Sequence, residues 1–238
     1  MKILLLGYGK MGKTIEKIAI ERGHNIAFII DKEDQELFEQ ISDQNVDVAI
    51  EFSQPDAATA NLLKCFSKKI PVVSGTTGWL GQLETVKNAC LNEDGTFFYA
   101  SNFSLGVNIF FKINRFLARV MNQFPDYKVS MEEIHHTEKK DAPSGTAITL
   151  AEGIMEQNNK IQKWVDQTTT HKNEVGIVSK RIDKVPGTHT VQYTSPIDDI
   201  EIKHTAHSRH GFALGAVLVA EWVVDKKGIL GMDDYLNF

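Results

Sequence analysis

The sequence contains little cysteine and no long apolar run. Its 238 residues include only two cysteines, Cys65 and Cys90, which favours reduced thiols in a cytoplasmic protein over a disulfide framework. A glycine at position 7 interrupts the first apolar run too early for a signal peptide. The most hydrophobic later stretch, 212–224, is shorter than the roughly 20 residues that span a bilayer. We therefore expect no membrane partner.

A basic excess is also absent. Lysine and arginine total 26 against 31 acidic residues, which gives a net charge of −5. Generic nucleic-acid binding needs a basic surface, so we expect no nucleic-acid partner. Donors placed locally must then hold any anionic ligand, because the field of the whole molecule does not attract it.

The first half of the chain alternates short apolar runs with amphipathic segments. The runs show little polar alternation, which is typical of parallel strands buried on both faces by helices. They predict strands at 3–6, 26–30, 46–52, 72–74 and 96–99, and the segments between them predict helices at 10–22, 55–67 and 80–91. Repeated βα units of this kind predict the α/β fold class, with a Rossmann-type, doubly wound parallel sheet.

After about residue 102 the pattern changes. A long helix is predicted at 105–124, ended by Pro125, and shorter helices are predicted at 146–156 and 212–224. Strands are predicted at 127–134, 174–182, 189–194 and 200–207. Apolar and polar residues alternate in the last of these strands, and a period of two indicates one buried and one wetter face. We therefore expect an α+β region with a mixed sheet.

A glycine-rich loop directly follows the first predicted strand and opens the first helix. Gly7 permits a tight turn, Gly9 lets a pyrophosphate approach the backbone, and Gly12 allows close packing of helix on strand. Asp31 ends the second strand, 19 residues beyond Gly12, where its carboxylate would accept hydrogen bonds from ribose hydroxyls. The loop predicted to bind a dinucleotide consists of Gly7, Tyr8, Gly9, Lys10, Met11 and Gly12. The alternative is a glycine turn with an exposed aspartate.

Asp31 and Lys32 act in opposite directions on the choice of cofactor. A carboxylate repels the 2′-phosphate of NADPH, whereas a neighbouring lysine offsets that repulsion. Lysine is more often a solvated surface residue. We therefore expect NADH or NADPH as the cofactor, with a slight preference for NADH.

Two further loops follow predicted strands and reach the same edge of the sheet. Ligands of open α/β sheets bind at the carboxyl ends of the strands, so we expect both loops to line the nicotinamide half of the cofactor site. They contain Gly75, Thr76 and Thr77 in one case, and Ala100, Ser101, Asn102 and Phe103 in the other. A loop of either kind on its own is more often an ordinary polar turn, and it is the position shared by the two loops that makes the functional interpretation equally favoured.

The densest group of reactive side chains lies in residues 133–147. Adjacent histidines on a strand point to opposite faces, and no third ligand has a recognisable spacing, so we expect no metal site. The segment instead predicts an anion site beside an acid. Gly145 and Thr146 open a helix, whose first backbone N–H groups stabilise a carboxylate.

Three side chains complete this predicted anion site. His136 and Lys139 can add charge-assisted hydrogen bonds to the anion. Histidines titrate near neutral pH, so His135 can give a proton to a carbon or nitrogen centre. The alternative is a solvated, charged loop before a capped helix, which does not explain glycine and threonine at the cap beside two histidines.

Residues 133–147 read Glu-Ile-His-His-Thr-Glu-Lys-Lys-Asp-Ala-Pro-Ser-Gly-Thr-Ala. This segment resembles the signature E-[LI]-H-H-x-x-K-x-D-A-P-S-G-T-A of the 4-hydroxy-tetrahydrodipicolinate reductase family, also called dihydrodipicolinate reductases. The resemblance continues in segments 7–12, 75–77, 100–103, 187–189 and 204–222. Two departures are visible. The glycine loop is one residue shorter than the usual G-x-x-G-x-M-G, and Glu138 replaces a residue that is often basic.

The resemblance implies a cytoplasmic enzyme of lysine and diaminopimelate synthesis, in which NADH or NADPH gives hydride to C4 of a cyclic imine dicarboxylate. It implies that His135 protonates C3 and that Lys139 is the second acid. The residues expected to bind the substrate are His136, Ser144, Gly145 and Thr146. We also expect a dinucleotide-binding domain of 1–104 and 210–238, an inserted domain of 105–209 for substrate binding and oligomerisation, and a homotetramer.

Two other classes of function remain compatible with the residues. One is a different Rossmann-fold dehydrogenase that acts on an aldehyde or a hydroxy acid, although no cysteine has a catalytic context. The other is a non-catalytic dinucleotide sensor, which would need the glycine loop and Asp31. A sensor has no use for His135 and Lys139 together.

Overall fold

The computed structural model describes residues 1–208 and 210–237. The chain divides into two compact units, Met1–Leu105 with His210–Phe238, and Gly106–Arg209.

The first unit contains a parallel sheet of six strands. The strands are β1 (Lys2–Leu6), β2 (Asn25–Ile30), β3 (Val48–Glu51), β4 (Val72–Ser74), β5 (Thr96–Tyr99) and β11 (Gly228–Leu230), in the order β11-β5-β4-β3-β1-β2. The helices are α1 (Lys10–Glu21), α2 (Pro55–Ser67), α3 (Leu83–Asn92), α6 (His210–Val223) and α7 (Met232–Leu236), with 3-10 helices at Gln35–Gln40 and Leu80–Gln82.

Helices cover both faces of this sheet because its strands are apolar on both faces. Ile3 and Leu5 of β1 pack in the cluster that includes α1 and α6, whereas Leu4 and Leu6 pack in the cluster that includes α2 and α3. The predicted doubly wound parallel sheet is confirmed. Since its strands are parallel, the loops that follow β1 to β5 meet at one edge of the sheet.

Some elements of the first unit differ from the prediction. The 3-10 helix at Gln35–Gln40, β11 and α7 lie outside the predicted elements, and the helix predicted at 80–91 is a 3-10 turn followed by α3. In β11 Ile229 and Leu230 lie between two glycines, which disfavour strands, so this strand exists through its pairing with β5.

The second unit contains a mixed sheet of five strands. The strands are β6 (Lys128–His135), β7 (Lys163–Val165), β8 (Glu174–Arg181), β9 (Gly187–Thr194) and β10 (Asp199–Ala206), in the order β10-β9-β6-β8-β7. Strand β9 is antiparallel to β6 and β10, and β8 is parallel to β6 and β7. Two helices, α4 (Leu105–Met121) and α5 (Gly145–Gln157), supply apolar side chains to the core of this sheet.

The alternation predicted for β10 is present in a weakened form. Ile202 and His204 are partly buried while Glu201 and Lys203 are exposed, but Ile200 is 36% exposed because β10 is an edge strand. Helix α4 ends at Met121, ahead of the predicted end at residue 124. The three-residue strand β7 was not expected, and pairing with β8 forms it.

The two cysteines are free and buried in the first unit. Burial raises the pKa of both thiols, to about 11 for Cys90, so neither is a nucleophile at neutral pH. In the part of the chain that the structure describes, no helix is both long and apolar enough to cross a membrane.

Candidate active site

Two of the three glycines in the 7–12 loop are required by the chain's own geometry. Gly7 has a φ of +91°, and a Cβ there would lie 2.3 Å from the carbonyl oxygen of Phe52. A Cβ at Gly12 would lie 2.3 Å from the carbonyl oxygen of Gly7. These contacts let β1 turn sharply into α1 despite the shortened loop.

Gly9 differs from its two neighbours. A Cβ built there meets no heavy atom of the described residues within 4 Å, so packing alone does not require a glycine at this position. Gly9 is the N-cap of α1, and within residues 1–208 no side chain caps this helix and no acid lies in its first turn. The first N–H groups of α1 are therefore open to an anion, which is the arrangement that suits a pyrophosphate.

The predicted ribose end of the site is a cavity of about 220 Å³. Gly7, Asp31 and Lys32 line it, together with Ser53 and Asn61. Asp31 is exposed, and its Oδ1 accepts a hydrogen bond from the Lys32 N–H at 3.0 Å. The cavity therefore offers a carboxylate at the carboxyl end of β2, where a ribose hydroxyl would bind.

The other residues of the 7–12 loop have mixed surroundings. Lys10 is exposed, and Met11 is packed against the apolar core. The Tyr8 hydroxyl donates to the carboxylate of Glu16 on α1. This bond holds the tyrosine against its own helix.

A buried carboxylate organises the loops that follow β3 and β4. Glu51, at the end of β3, is fully buried and accepts hydrogen bonds from the hydroxyls of Ser74 at 2.6 Å and Thr76 at 2.8 Å. It also accepts from the Ser53 N–H at 3.0 Å. Thr76 thus uses its hydroxyl inside the protein, while Thr77 is exposed. Sequence reasoning missed Glu51, although a glutamate ending an apolar strand was a visible signal.

The two loops at this edge combine packing residues with exposed ones. A Cβ at Gly75 would lie 2.2 Å from the ring of Phe52, and Phe103 is only 2% exposed, so both residues serve the core. Ala100 is 8% exposed, whereas Ser101 is exposed. Asn102 accepts through Oδ1 from the Ser104 N–H at 2.9 Å. The first unit fits a nicotinamide dinucleotide, because it has an open phosphate cradle and a carboxylate-lined cavity at one sheet edge.

The predicted acid and its neighbours form a cluster of polar side chains around strand β6 of the second unit. Glu133 and His135 lie on the face of the sheet that packs against the core. His135 Nδ1 contacts Glu133 Oε2, although the angle of this contact is not that of an ideal hydrogen bond. His189 of β9 pairs in register with Glu133, and its ring lies 5.0 Å from that of His135, centroid to centroid. His189 Nε2 lies 3.0 Å from Ser144 Oγ, which caps α5 by accepting from the Ala147 N–H at 3.2 Å.

This line of contacts connects the predicted acid to the predicted anion site. Glu133, His135, His189 and Ser144 follow one another from the centre of the sheet to the N-terminus of α5. Sequence separation hides the connection, since Ser144 and His189 are 45 residues apart. His189 was not singled out from the sequence, and its register on β9 was not readable there.

The ionisation of two groups in this cluster follows from burial and contacts. Burial opposes the charge of Glu133, but the contacts with His135 and Arg181 outweigh it and lower the pKa of this carboxyl to about 2. Burial, with a contribution from His135, lowers the pKa of His189 to about 3. Glu133 is therefore ionised and His189 neutral at neutral pH, so His189 is a poor proton donor there.

Lys139 lies in the loop between β6 and α5. Its Nζ donates to both carboxylate oxygens of Asp141 at 2.8 Å, and these bonds lower the pKa of Asp141. Glu138, the departure noted in the signature, is exposed. The carboxylate that competes with an anionic ligand for Lys139 is therefore that of Asp141.

The remaining predicted substrate residues lie at the start of α5 and just after β6. Gly145 is exposed, and a Cβ there meets no heavy atom of the described residues within 4 Å. Thr146 is partly buried, as is His136. Because Ser144 caps the helix through its hydroxyl, the backbone N–H groups of Gly145 and Thr146 are the open donors at this N-terminus.

Three groups of the type that binds metals meet in this cluster. One nitrogen or oxygen atom from each of Glu133, His135 and His189 lies within 4.8 Å of the others. Arg181 already donates from Nη1 to Glu133 Oε1 at 3.0 Å, however, and a guanidinium beside the carboxylate repels a metal cation. We interpret the cluster as an acid–base network.

A parallel sheet whose glycine loop opens onto an uncapped helix is typical of nicotinamide-dinucleotide binding, and the second unit adds a buried imidazole and, at the start of α5, open backbone N–H groups. These features define the class as the dinucleotide-dependent oxidoreductases. The family model "Dihydrodipicolinate reductase, N-terminus" matches residues 1–103, and "Dihydrodipicolinate reductase, C-terminus" matches residues 106–236. The chain belongs to the dihydrodipicolinate reductase family, whose members are NAD(P)H-dependent oxidoreductases of lysine and diaminopimelate synthesis.

Individual relatives agree with this assignment. A 4-hydroxy-tetrahydrodipicolinate reductase of Christiangramia forsetii is 53% identical over 238 residues, covering 100% of this chain and 98% of the relative. One of Archaeoglobus fulgidus is 34% identical over 252 residues and covers 96% of each chain. The dipicolinate-bound dihydrodipicolinate reductase of Paenisporosarcina sp. TG-14 has a TM-score of 0.79 at 20% identity, covering 99% of both chains, and supports the fold. The predicted family, fold class and enzyme class are confirmed.

The open space at Gly9 leads to a prediction about cofactor binding. Gly9→Ala should fold normally, because its Cβ meets no atom of the described residues. It should weaken NADH binding by about 10- to 100-fold, because the methyl group occupies space that the pyrophosphate needs and so costs about one charge-assisted hydrogen bond. Fluorescence titration with NADH measures this. Gly81→Ala is the matched control, since a Cβ there is equally free of contacts. Equal affinities of the two variants would remove the phosphate role of Gly9.

Proposed function

We propose that this chain reduces 4-hydroxy-tetrahydrodipicolinate to tetrahydrodipicolinate and that His135 is the proton donor. The main support is the line of contacts from Glu133 to Ser144, in which the ring of His189 connects the His135 imidazole to the residue that caps α5. Reduction of a cyclic imine dicarboxylate needs a site for carboxylates and an acid close to it. This cluster offers both within one unit.

The substrate carboxylates bind at the start of α5. The N–H groups of Gly145 and Thr146 donate to one carboxylate, and the partial positive charge of the helix N-terminus adds to the attraction. Lys139 turns from Asp141 to the substrate, an exchange that costs little because the Asp141 side chain is 59% exposed and water replaces its partner. His136 contributes a further charge-assisted bond.

The chemistry divides between the cofactor and this chain. Loss of water from the substrate gives a conjugated imine, and bound NADH or NADPH supplies a hydride to its C4. His135 gives a proton to C3, so that one hydride and one proton together saturate the carbon–carbon double bond. Lys139 and the first N–H groups of α5 offset the charge of the carboxylate while electrons shift through the ring. His189, neutral at neutral pH, does not compete as a donor.

The two proposed acids should affect different kinetic constants. General acid catalysis typically contributes about 10²–10⁴-fold, so His135→Ala should lower kcat on that order and leave the substrate KM nearly unchanged. Lys139→Ala should lower kcat and also raise the substrate KM, because the carboxylate loses a partner. Neither variant should change NADH affinity. Steady-state kinetics with cofactor titration measures all three quantities.

Lys140→Ala is the control for the lysine variant, since Lys140 is an exposed neighbour in the same loop. It should behave as the wild type. Folded His135→Ala and Lys139→Ala variants that both retain near wild-type kcat would refute the proposed chemistry, even if cofactor binding were as expected.

We propose a slight preference for NADH over NADPH. Asp31 supports it, because its exposed carboxylate lines the ribose cavity and repels a 2′-phosphate, while Lys32 partly offsets the repulsion. Asp31→Ala should therefore shift the ratio of the two kcat/KM values toward NADPH. Glu33→Ala removes the same charge from an exposed position nearby and should leave the ratio unchanged. A constant ratio in Asp31→Ala would show that Asp31 does not contact the ribose.

We further propose a dinucleotide-binding domain formed by 1–104 and 210–238 and an inserted substrate-binding domain of 105–209.

We also propose a cytoplasmic homotetramer. Two free cysteines support a reducing compartment. Assembly through the second unit is supported by exposed apolar side chains at its β10 edge, Ile197 at 90% and Ile200 at 36%. Sedimentation equilibrium that gives the mass of one chain would refute the tetramer.

A further inference from the structure

Glu133 is an unusual residue for the position that it occupies. It lies on the central strand of the five-stranded sheet and is 0% exposed. An ion pair at such a site gives little net stability, because the cost of removing two charges from water offsets their attraction. Stability alone therefore does not explain why a carboxylate is buried here.

The two oxygens of Glu133 have different partners. Oε2 contacts His135 Nδ1, and Oε1 accepts from Arg181 Nη1 at 3.0 Å. Arg181 also donates from Nη2 to the Asp141 carbonyl at 2.6 Å and from Nε to the Lys139 carbonyl at 3.3 Å. The carboxylate–guanidinium pair thus touches the ring of His135 and the backbone of the loop that carries Lys139.

The contact at Nδ1 decides which nitrogen of His135 is free. A carboxylate at Nδ1 stabilises a proton there and leaves Nε2 as the atom that exchanges a proton with a ligand. Nε2 lies next to Gly187, where a Cβ would be only 3.0 Å away, so the absent side chain leaves room at that nitrogen. The charged or titratable groups around His135 are Glu133 on β6, Arg181 on β8, His189 on β9, and Lys139 and Asp141 in the loop before α5.

We propose that Glu133 and Arg181 are positioning residues. Glu133 orients His135 and holds a proton on Nδ1, and Arg181 fixes the loop of Lys139 to the same carboxylate. This inference rests on the proposed roles of His135 and Lys139. It assigns no contact with the substrate to Glu133 or Arg181.

The test of Glu133 uses an isosteric variant. Glu133→Gln keeps an acceptor for Arg181 but loses the charge beside Nδ1. We expect kcat to fall on the order of 10²-fold, the effect of a misplaced reacting group, with NADH affinity unchanged. The substrate KM should stay near the wild-type value, because Glu133 does not touch the substrate and the loss is confined to kcat. A purely structural role would not separate kcat from KM in this way.

Glu132→Gln is the matched control. Glu132 is the neighbour of Glu133 on the same strand, points to the other face and pairs with Lys180 at the surface. Its variant should keep the wild-type kcat and substrate KM. A folded Glu133→Gln variant with the kcat of Glu132→Gln would overturn the positioning role.

Arg181→Lys separates the second half of the proposal. Lysine keeps the charge but loses the forked donors to the two loop carbonyls. The substrate KM should rise more than kcat falls, because the Lys139 loop is released while the contact between Glu133 and His135 stays. An unchanged substrate KM would refute the role of Arg181.

These results are distinguishable from a failure of the proposed function. If His135→Ala retains kcat, the proposed function fails; if it loses kcat while Glu133→Gln does not, only the positioning role fails.

A measurement on the wild-type protein covers the case in which Glu133→Gln does not fold. Nitrogen-15 NMR of the imidazoles, with His135 assigned by its loss in His135→Ala, should show neutral His135 protonated on Nδ1. Protonation on Nε2 would overturn the proposal.

Discussion

A carboxylate buried at the centre of a sheet is the constraint around which the second unit is arranged. Glu133 must keep its partners, because a buried charge left alone is strongly destabilising. The pairing of β6 with β8 sets His135 opposite Arg181, and the pairing of β6 with β9 sets Glu133 opposite His189. A slip of one residue would turn these side chains to the other face of the sheet. The register that satisfies the charge is therefore the register that brings His135, His189 and Arg181 around this carboxylate.

The first unit depends on a different physical constraint, the close approach of backbone segments. Its site depends on this approach, which Gly7 and Gly12 permit, and on space that Gly9 leaves open. Glu51 ties together the loops after β3 and β4 by accepting from three neighbouring residues. Here the carboxylate organises hydroxyl and amide donors, whereas in the second unit Glu133 organises an imidazole and a guanidinium. Both sets of side chains are thus held by a buried acid, Glu51 or Glu133, whose role is not apparent from the sequence, although Glu133 opens the signature segment.

Patterns that are local in the sequence predict much of the fold and of the candidate site, whereas the pairing of strands across the sheets could not be predicted. Apolar strands followed by helices, the glycine loop with Asp31, and the segment 133–147 are continuous in sequence, so one chain suffices to recognise them. Arg181 and His189 reach the site only through the register of β8 and β9, which a single sequence does not specify. The three-residue strands β7 and β11 are defined by their neighbours for the same reason. Gly187 could be noted as part of the resemblance, but its proximity to His135 is visible only in the folded chain.

The most direct test of the account follows the hydride. The purified chain should oxidise NADH when freshly generated 4-hydroxy-tetrahydrodipicolinate is added and should not oxidise it in the absence of that compound. With NADH deuterated on the transferring face of the nicotinamide, the account predicts that NMR of the product shows deuterium at C4. No oxidation with this substrate, or deuterium at any other carbon, would contradict it.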